Sequence, residues 1–149
     1  MRTILANAAP DRRLIFLLNV AQRRLQRHLA GEGGAVTAAQ SGLLFVLGKR
    51  DGVLMSEAGA ALDLGMPGMS GLVERTVAAG LIEKRADPDD GRAWRLWLTP
   101  AGRRALARAR AGVAELNARL IQGFSESEID VVARWLRHVQ QVFPKGDEE

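Results

Sequence analysis

The chain has 149 residues, 47% of them apolar, and a formal net charge of +4, a balance that suits a polyanionic partner. That length supports one good hydrophobic core with room for arms that need a partner, and the absence of cysteine excludes disulfides, thiolate metal sites, cysteine nucleophiles and thiol redox sensing together. His28 and His138 are too few and too far apart in the chain for a zinc site, no apolar run approaches the ~20 residues that span a bilayer, and Met1-Arg2-Thr3-Ile4-Leu5 opens no secretion signal, so a cytoplasmic chain without cofactor or membrane contact is expected.

The first periodic segment follows Pro10, with Asp11 as its N-cap. Leu14, Leu18, Ala21, Leu25 and Leu29 recur at helical spacing and predict an amphipathic helix ending near Ala30. Gly31-Glu32-Gly33-Gly34 reads as a loop; no Gly-Lys-Ser/Thr follows, so it is no phosphate cradle. Thr37-Ala38-Ala39-Gln40 has the form of a capping box, which decides that the apolar run Leu43 to Leu47 is a buried helix although its propensity also suits a strand. Asp51-Gly52 ends that helix, and Val53-Leu54-Met55 has room only for a small edge strand. Ser56 then reads as the N-cap of a short helix carrying Ala58, Ala61 and Leu62 inward. A turn at Leu64-Gly65 leads to Pro67, tolerated in a first helical turn, and to a helix with Met69, Leu72, Val73 and Val77 as its buried stripe and Gly80 as a left-handed cap. Two short helices about a glycine-containing turn have the layout of a helix-turn-helix.

Leu81 to Arg85 is a strand candidate, Asp87-Pro88-Asp89-Asp90-Gly91 is dense in turn residues, and Arg92 to Leu98 alternates, with Trp94, Leu96 and Leu98 on one face and Ala93, Arg95 and Trp97 on the other. This predicts a hairpin with a charged tip. Thr99-Pro100 supplies an N-cap and a first-turn proline to a long helix whose Leu106, Ala109, Val113, Leu116, Leu120 and Phe124 form a narrow seam in need of another helix. Ser125 to Glu128 is a second capping box, stapled by Phe124 and Ile129. The last helix places Ile129, Val132, Leu136, Val139 and Phe143 on one face, stops before Pro144 and leaves a polar tail from Lys145.

This order of elements, with Gly80-Leu81-Ile82-Glu83-Lys84-Arg85, Asp87-Pro88-Asp89-Asp90-Gly91-Arg92-Ala93 and Leu98-Thr99-Pro100-Ala101-Gly102, resembles the MarR family of bacterial transcriptional regulators. The three stretches match the entry, tip and exit of that family's wing. The resemblance implies a mainly α fold: a winged helix-turn-helix region over residues 37–99 with a small β-hairpin wing, flanked by dimerisation helices over 11–30 and 100–143, within the single chain 1–149. It implies a homodimer that binds a palindromic operator in double-stranded DNA, usually as a repressor, and that responds to a small aromatic or anionic effector.

By that resemblance Arg92 enters the minor groove at the wing tip, with Asp90 placed to hold it; Arg85 and Arg95 on the flanking strands read as phosphate contacts or as plain surface charge. Ser56 and the recognition segment Met66, Pro67, Gly68 and Ser70 complete the DNA-facing set with Arg75, which reaches a phosphate or pairs within the protein. The opening of the recognition helix departs from the family, because only Ser70 carries a hydrogen-bonding side chain, which leaves this turn without a bidentate base reader. Backbone amides near Pro67 and Gly68 can still meet a phosphate. An effector would lie near Arg24, His28 and Phe45.

The alternative is a winged-helix module that docks a protein through its apolar turn Met66 to Met69. No acid/base pair, metal cluster or nucleophile arrangement supports an enzyme. Gly68-Met69-Ser70-Gly71 misses the nucleophile-elbow pattern. Trp94 and Trp97 are expected to serve packing, since duplex DNA offers no unstacked base.

Overall fold

The helix-period stretches fold as six helices and the alternating stretches as three strands in the computed structural model, which describes residues 12–31 and 36–144. In chain order they are α1 (Leu14–Gly31), α2 (Ala38–Lys49), β1 (Val53–Leu54), α3 (Met55–Ala61), α4 (Met66–Ala78), β2 (Ile82–Ala86), β3 (Trp94–Leu98), α5 (Pro100–Ile121) and α6 (Glu126–Val142). The Asp11 cap, loop residues 32–34 and the tail from Lys145 lie outside the described residues. The chain divides into two compact units, Met1–Ala38 and Ala39–Glu149. In the first, α1 keeps Leu18 and Leu25 half-buried and exposes Leu14, Ile15, Phe16, Leu17 and Leu29.

In the second unit, Leu43, Leu44 and Leu47 of α2 are fully covered, so the apolar run is helical as its cap position required. They meet Val53, Met55, Ala58, Met69, Leu72, Val73, Ile82, Leu96, Leu98, Ala105 and Leu106 in one core. Each of the Leu, Ile, Val and Met side chains among them contributes about 1.5–3 kcal/mol by leaving water.

Three expectations at the helix ends need correction. Ser56 is not the N-cap of α3: Leu54 holds that position, Ser56 is exposed inside the first turn, and the Leu54 N–H donates to Glu57 Oε2 at 3.3 Å. Of the α3 side chains expected inward, Ala58 is buried, Leu62 is half-buried and Ala61 is exposed. In α4, Val77 is 39% exposed and Thr76 takes the fourth core position. Residues 69, 72, 73 and 76 keep the i, i+3, i+4, i+7 face, and the Thr76 hydroxyl enters it by donating to the Leu72 carbonyl at 2.6 Å.

The turn between α3 and α4 is made by Asp63 rather than by glycine. Asp63 has φ 56°, which a short polar side chain tolerates. Its N–H donates to Ala60 O at 3.2 Å, and the Leu64 N–H donates to Gly59 O at 2.9 Å, the paired bonds of a Schellman end. Gly65 is instead the extended N-cap of α4. The same bond pair closes α4, from Gly80 N–H to Val77 O and from Leu81 N–H to Thr76 O, with Gly80 at φ 73° as expected.

The sheet is antiparallel in the order β1-β3-β2, so the hairpin's return strand is central. Ile82 pairs with Leu98, Arg85 with Arg95 and Ala86 with Trp94, while Val53 and Leu54 add the edge opposite Leu96 and Arg95. Thr99 caps α5 by accepting from the Gly102 N–H at 3.0 Å. Its own hydroxyl donates to Gly80 O at 2.6 Å and its N–H to Leu81 O at 3.1 Å. The exit of the wing is therefore tied to its entry, and Gly102 packs so near that an added Cβ would lie 1.9 Å from Leu81 O. Ser125 and Glu128 form the expected capping box, with Ser125 N–H to Glu128 Oε2 at 2.8 Å and Glu128 N–H to Ser125 Oγ at 3.3 Å. Along α6 no residue is fully buried.

Candidate nucleic-acid interface

The second helix of the helix-turn-helix presents a nearly bare face. Met66 is 58% exposed, Pro67 and Gly68 are exposed, Ser70 and Gly71 are half-buried, and no side chain caps the amides of the first turn. A helix start of this kind carries partial positive charge and free N–H donors. Arg75 is exposed two turns along, and its guanidinium folds back over Gly71.

At the wing tip, two aspartates shape the loop by accepting from nearby backbone. Asp87 Oδ1 accepts from Asp89 N–H at 2.7 Å, and Asp90 Oδ1 accepts from Arg92 N–H at 3.0 Å. Asp90 thus holds the Arg92 backbone, whereas the exposed Arg92 side chain forms no ion pair among the described residues. Its guanidinium is available to an outside anion.

The strand arginines are engaged inside the protein. Arg95 donates from Nε to Asp87 Oδ2 at 2.7 Å and from Nη1 to Gly52 O at 2.8 Å, which commits two of its N–H donors to holding the wing against the corner before β1. Arg85 sits directly across from Arg95, and like charges in that position repel. Each has its own carboxylate: Asp87 for Arg95 and Glu83 for Arg85, the latter receiving Arg85 Nε–H at 3.0 Å. The Asp89 N–H, then the Arg95 guanidinium, hold the buried Asp87 carboxyl below the usual carboxylate range against the opposing effect of desolvation.

Trp97 takes the packing role. Its ring fills the space beside Gly52, where an added Cβ would lie 2.5 Å away, and Arg85 covers it at 5.5 Å. Trp94 is 40% exposed under Lys84 Nζ at 4.4 Å. The Asp51-Gly52 corner, expected only to end a helix, is an anchor the sequence did not disclose. Asp51 Oδ1 accepts from Leu98 N–H at 2.8 Å, its Oδ2 pairs with Arg103 at 2.6 Å, and Gly52 N–H donates to Leu96 O at 2.9 Å. The Leu98 partner lies 47 residues away, beyond any local signal.

Of the residues expected near an effector, Arg24 is exposed and His28 half-buried on α1 in the first unit. In the second, Phe45 lines an open cleft of about 350 Å³ with Val46, Val53 and Ala61, rimmed by Lys49, Arg50 and Glu57. Among the described residues no helix is long and apolar enough to cross a membrane.

The MarR family profile matches residues 36–93, the stretch that holds α2 through the wing tip. Among solved structures, a probable transcriptional regulator from Pseudomonas aeruginosa is 30% identical, with 87% of this chain and 98% of that one covered and a TM-score of 0.78. A MarR family transcription regulator is also 30% identical over 85% of this chain and 83% of its own, at a TM-score of 0.69. PcaV from Streptomyces coelicolor, in complex with its natural ligand, is 26% identical over 91% and 98%, at 0.75. No curated protein matches the chain. With the profile running from α2 to the wing tip, and a named family member 30% identical over more than four-fifths of both chains, this protein belongs to the MarR family of transcriptional regulators and is not an enzyme.

Proposed function

We propose that the chain acts as a homodimeric repressor that binds a palindromic operator in double-stranded DNA and releases it when a small molecule binds. The observation that carries this reading is the pairing of an uncapped, exposed start of α4 with a wing whose tip arginine has no ion-pair partner among the described residues. An α-helix fits the major groove, and a guanidinium is drawn to the negative potential of a narrow minor groove. Met66, Pro67, Gly68, Ser70 and Arg75 would face the first, Arg92 the second, with Ser56 and Arg85 towards the backbone. Arg95 would act from within by holding the wing in place.

Dimerisation is supported by apolar side chains that a monomer leaves wet: Leu14, Ile15 and Phe16 on α1, and Val113, Leu120, Val132, Leu136 and Val142 on α5 and α6. We assign residues 11–30 and 100–143 to the dimer and 37–99 to DNA. Two-fold symmetry then places the recognition helices one helical turn apart on the duplex. PcaV is bound to its natural ligand, and the Phe45 cleft, apolar with Lys49, Arg50 and Glu57 at its rim, suits a small aromatic molecule, an anion among them where Lys49 meets it.

The test is binding of a symmetric promoter fragment across a salt series. A steep fall in affinity is expected, because Lys and Arg that neutralise phosphates release counterions. Affinity independent of salt would exclude operator binding. Selection of no duplex from a random pool, with capture of a protein partner through the exposed Met66 turn, would instead favour the interaction-module reading.

A further inference from the structure

The outward stripe of α4 runs Pro67, Gly68, Gly71, Arg75, at helical spacing. Three of these four carry no side-chain hydrogen-bonding group, so the stripe is bare backbone up to Arg75. There the exposed side chain bends back one turn along the helix. An added Cβ on Gly71 would lie 3.1 Å from Arg75 Nη1, so the space a side chain at 71 would occupy is the space the guanidinium uses. Among the described residues Arg75 forms no ion pair and its side chain donates no hydrogen bond, although Glu74 is its chain neighbour.

We infer that Gly71 is a specificity-determining residue: by leaving its face of α4 empty, it lets Arg75 fold back one turn along the recognition helix and read a guanine edge in the major groove. This rests on the DNA-binding reading proposed above. The first turn has no bidentate reader of its own, with Ser70 as its one polar side chain. A planar fork with two parallel N–H donors, delivered from two turns along the helix, supplies what O6 and N7 of guanine require. Bare glycines at 68 and 71 also let the helix backbone approach the groove floor, shortening the distance that Arg75 must span. Arg75 and Gly71 thus work as a pair, one supplying the donors and the other the room.

The experiment selects duplexes from a random pool with the full-length protein, then measures affinity of the selected duplex for Arg75→Ala, Arg75→Lys, Gly71→Leu, Gly71→Ala and the Gly71→Leu/Arg75→Ala double variant. Wild type should retain a guanine at one fixed position in each half-site. Arg75→Ala should weaken binding about 10- to 100-fold and accept other bases there. Lysine should not rescue it, being a point charge without the fork. Gly71→Leu should reproduce the loss, and the double variant should be no worse than either single one, the mark of a coupled pair. Both substitutions at 71 improve helix propensity, so the thermal midpoint should not fall. If leucine does perturb the fold, Gly71→Ala, which meets only the flexible end of Arg75, should still weaken binding in the same direction. Guanine retained by Arg75→Ala, rescue by lysine, or wild-type affinity in both Gly71 variants would overturn the inference while leaving operator binding intact. A wild type that selects no sequence would overturn operator binding itself.

Discussion

Arg95 donates to Asp87 Oδ2 at 2.7 Å while its other arm reaches the Gly52 carbonyl at 2.8 Å, so one guanidinium ties the start of the wing loop, the central strand and the corner after α2. The Asp87 side chain is 5% exposed and that of Arg95 28%. Removing either partner leaves the other desolvated and unpaired. Arg95→Ala should therefore lower the thermal midpoint clearly more than Arg85→Ala, whose pair with Glu83 is solvent-exposed and contributes little. Equal midpoints for the two variants would show that the wing does not depend on this clamp.

The same pair sets an acid response. Asp87 is held below the ordinary carboxylate range by the Asp89 N–H and Arg95, and Glu128 by the Ser125 N–H and hydroxyl. A carboxylate depressed in the folded state adds stability above its unfolded value, and that stability is lost as pH falls through the depressed one. Thermal midpoints measured from neutral pH downward should decline through this acid range, and Asp87→Asn should decline less steeply. A variant with the wild-type slope would remove Asp87 from the explanation.

Gly102 and Gly112 lie on one helix and should respond to alanine with opposite signs. At Gly102 a Cβ would meet the Leu81 carbonyl at 1.9 Å, and backbone cannot move aside as a flexible side chain does. Overpacking of this kind costs about 1–3 kcal/mol or more. At Gly112 nothing lies within 4 Å, so alanine should stabilise by about 0.5–1 kcal/mol through helix propensity alone. Denaturant unfolding of the two variants checks both signs.

Arg92→Ala should weaken operator binding and reduce the slope of affinity against salt by about 1, with the thermal midpoint and the oligomeric state unchanged. The side chain is exposed and its shaping contact is made by backbone, from Arg92 N–H to Asp90. Unchanged affinity would assign the wing tip no part in binding.

Leu136→Asp places a charge on an α6 face that is 39% exposed at that residue in the single chain. If this face is buried between subunits, sedimentation should show monomer at concentrations where wild type is dimeric, because an unpaired buried charge is costly. A dimer of wild-type strength would move the interface elsewhere.

Helix positions and the wing were legible in the sequence because their signals are local. The Thr99-Pro100 start, the Ser125/Glu128 box and the left-handed Gly80 each depend on residues within a turn of one another. The errors also have local causes. Ser56 and Val77 fitted the expected residue types, but the Leu54 N–H found Glu57, and Thr76 satisfied its hydroxyl on the preceding turn, which freed it to enter the core.

The wing motif shows where the division falls. By its spacing alone the sequence determined that residues 80–102 make a hairpin between two helices, since turn chemistry, alternation and caps are properties of neighbouring residues. Only the tertiary structure decided which charges remain for a partner. Arg85, Arg92 and Arg95 look alike along the chain, yet Arg95 closes on Asp87 and on a carbonyl 43 residues away, Arg85 pairs across one residue with Glu83, and Arg92 is left open at the tip. A guanidinium binds whichever acceptor the fold brings within about 3 Å, and that distance is set by packing between segments remote in sequence.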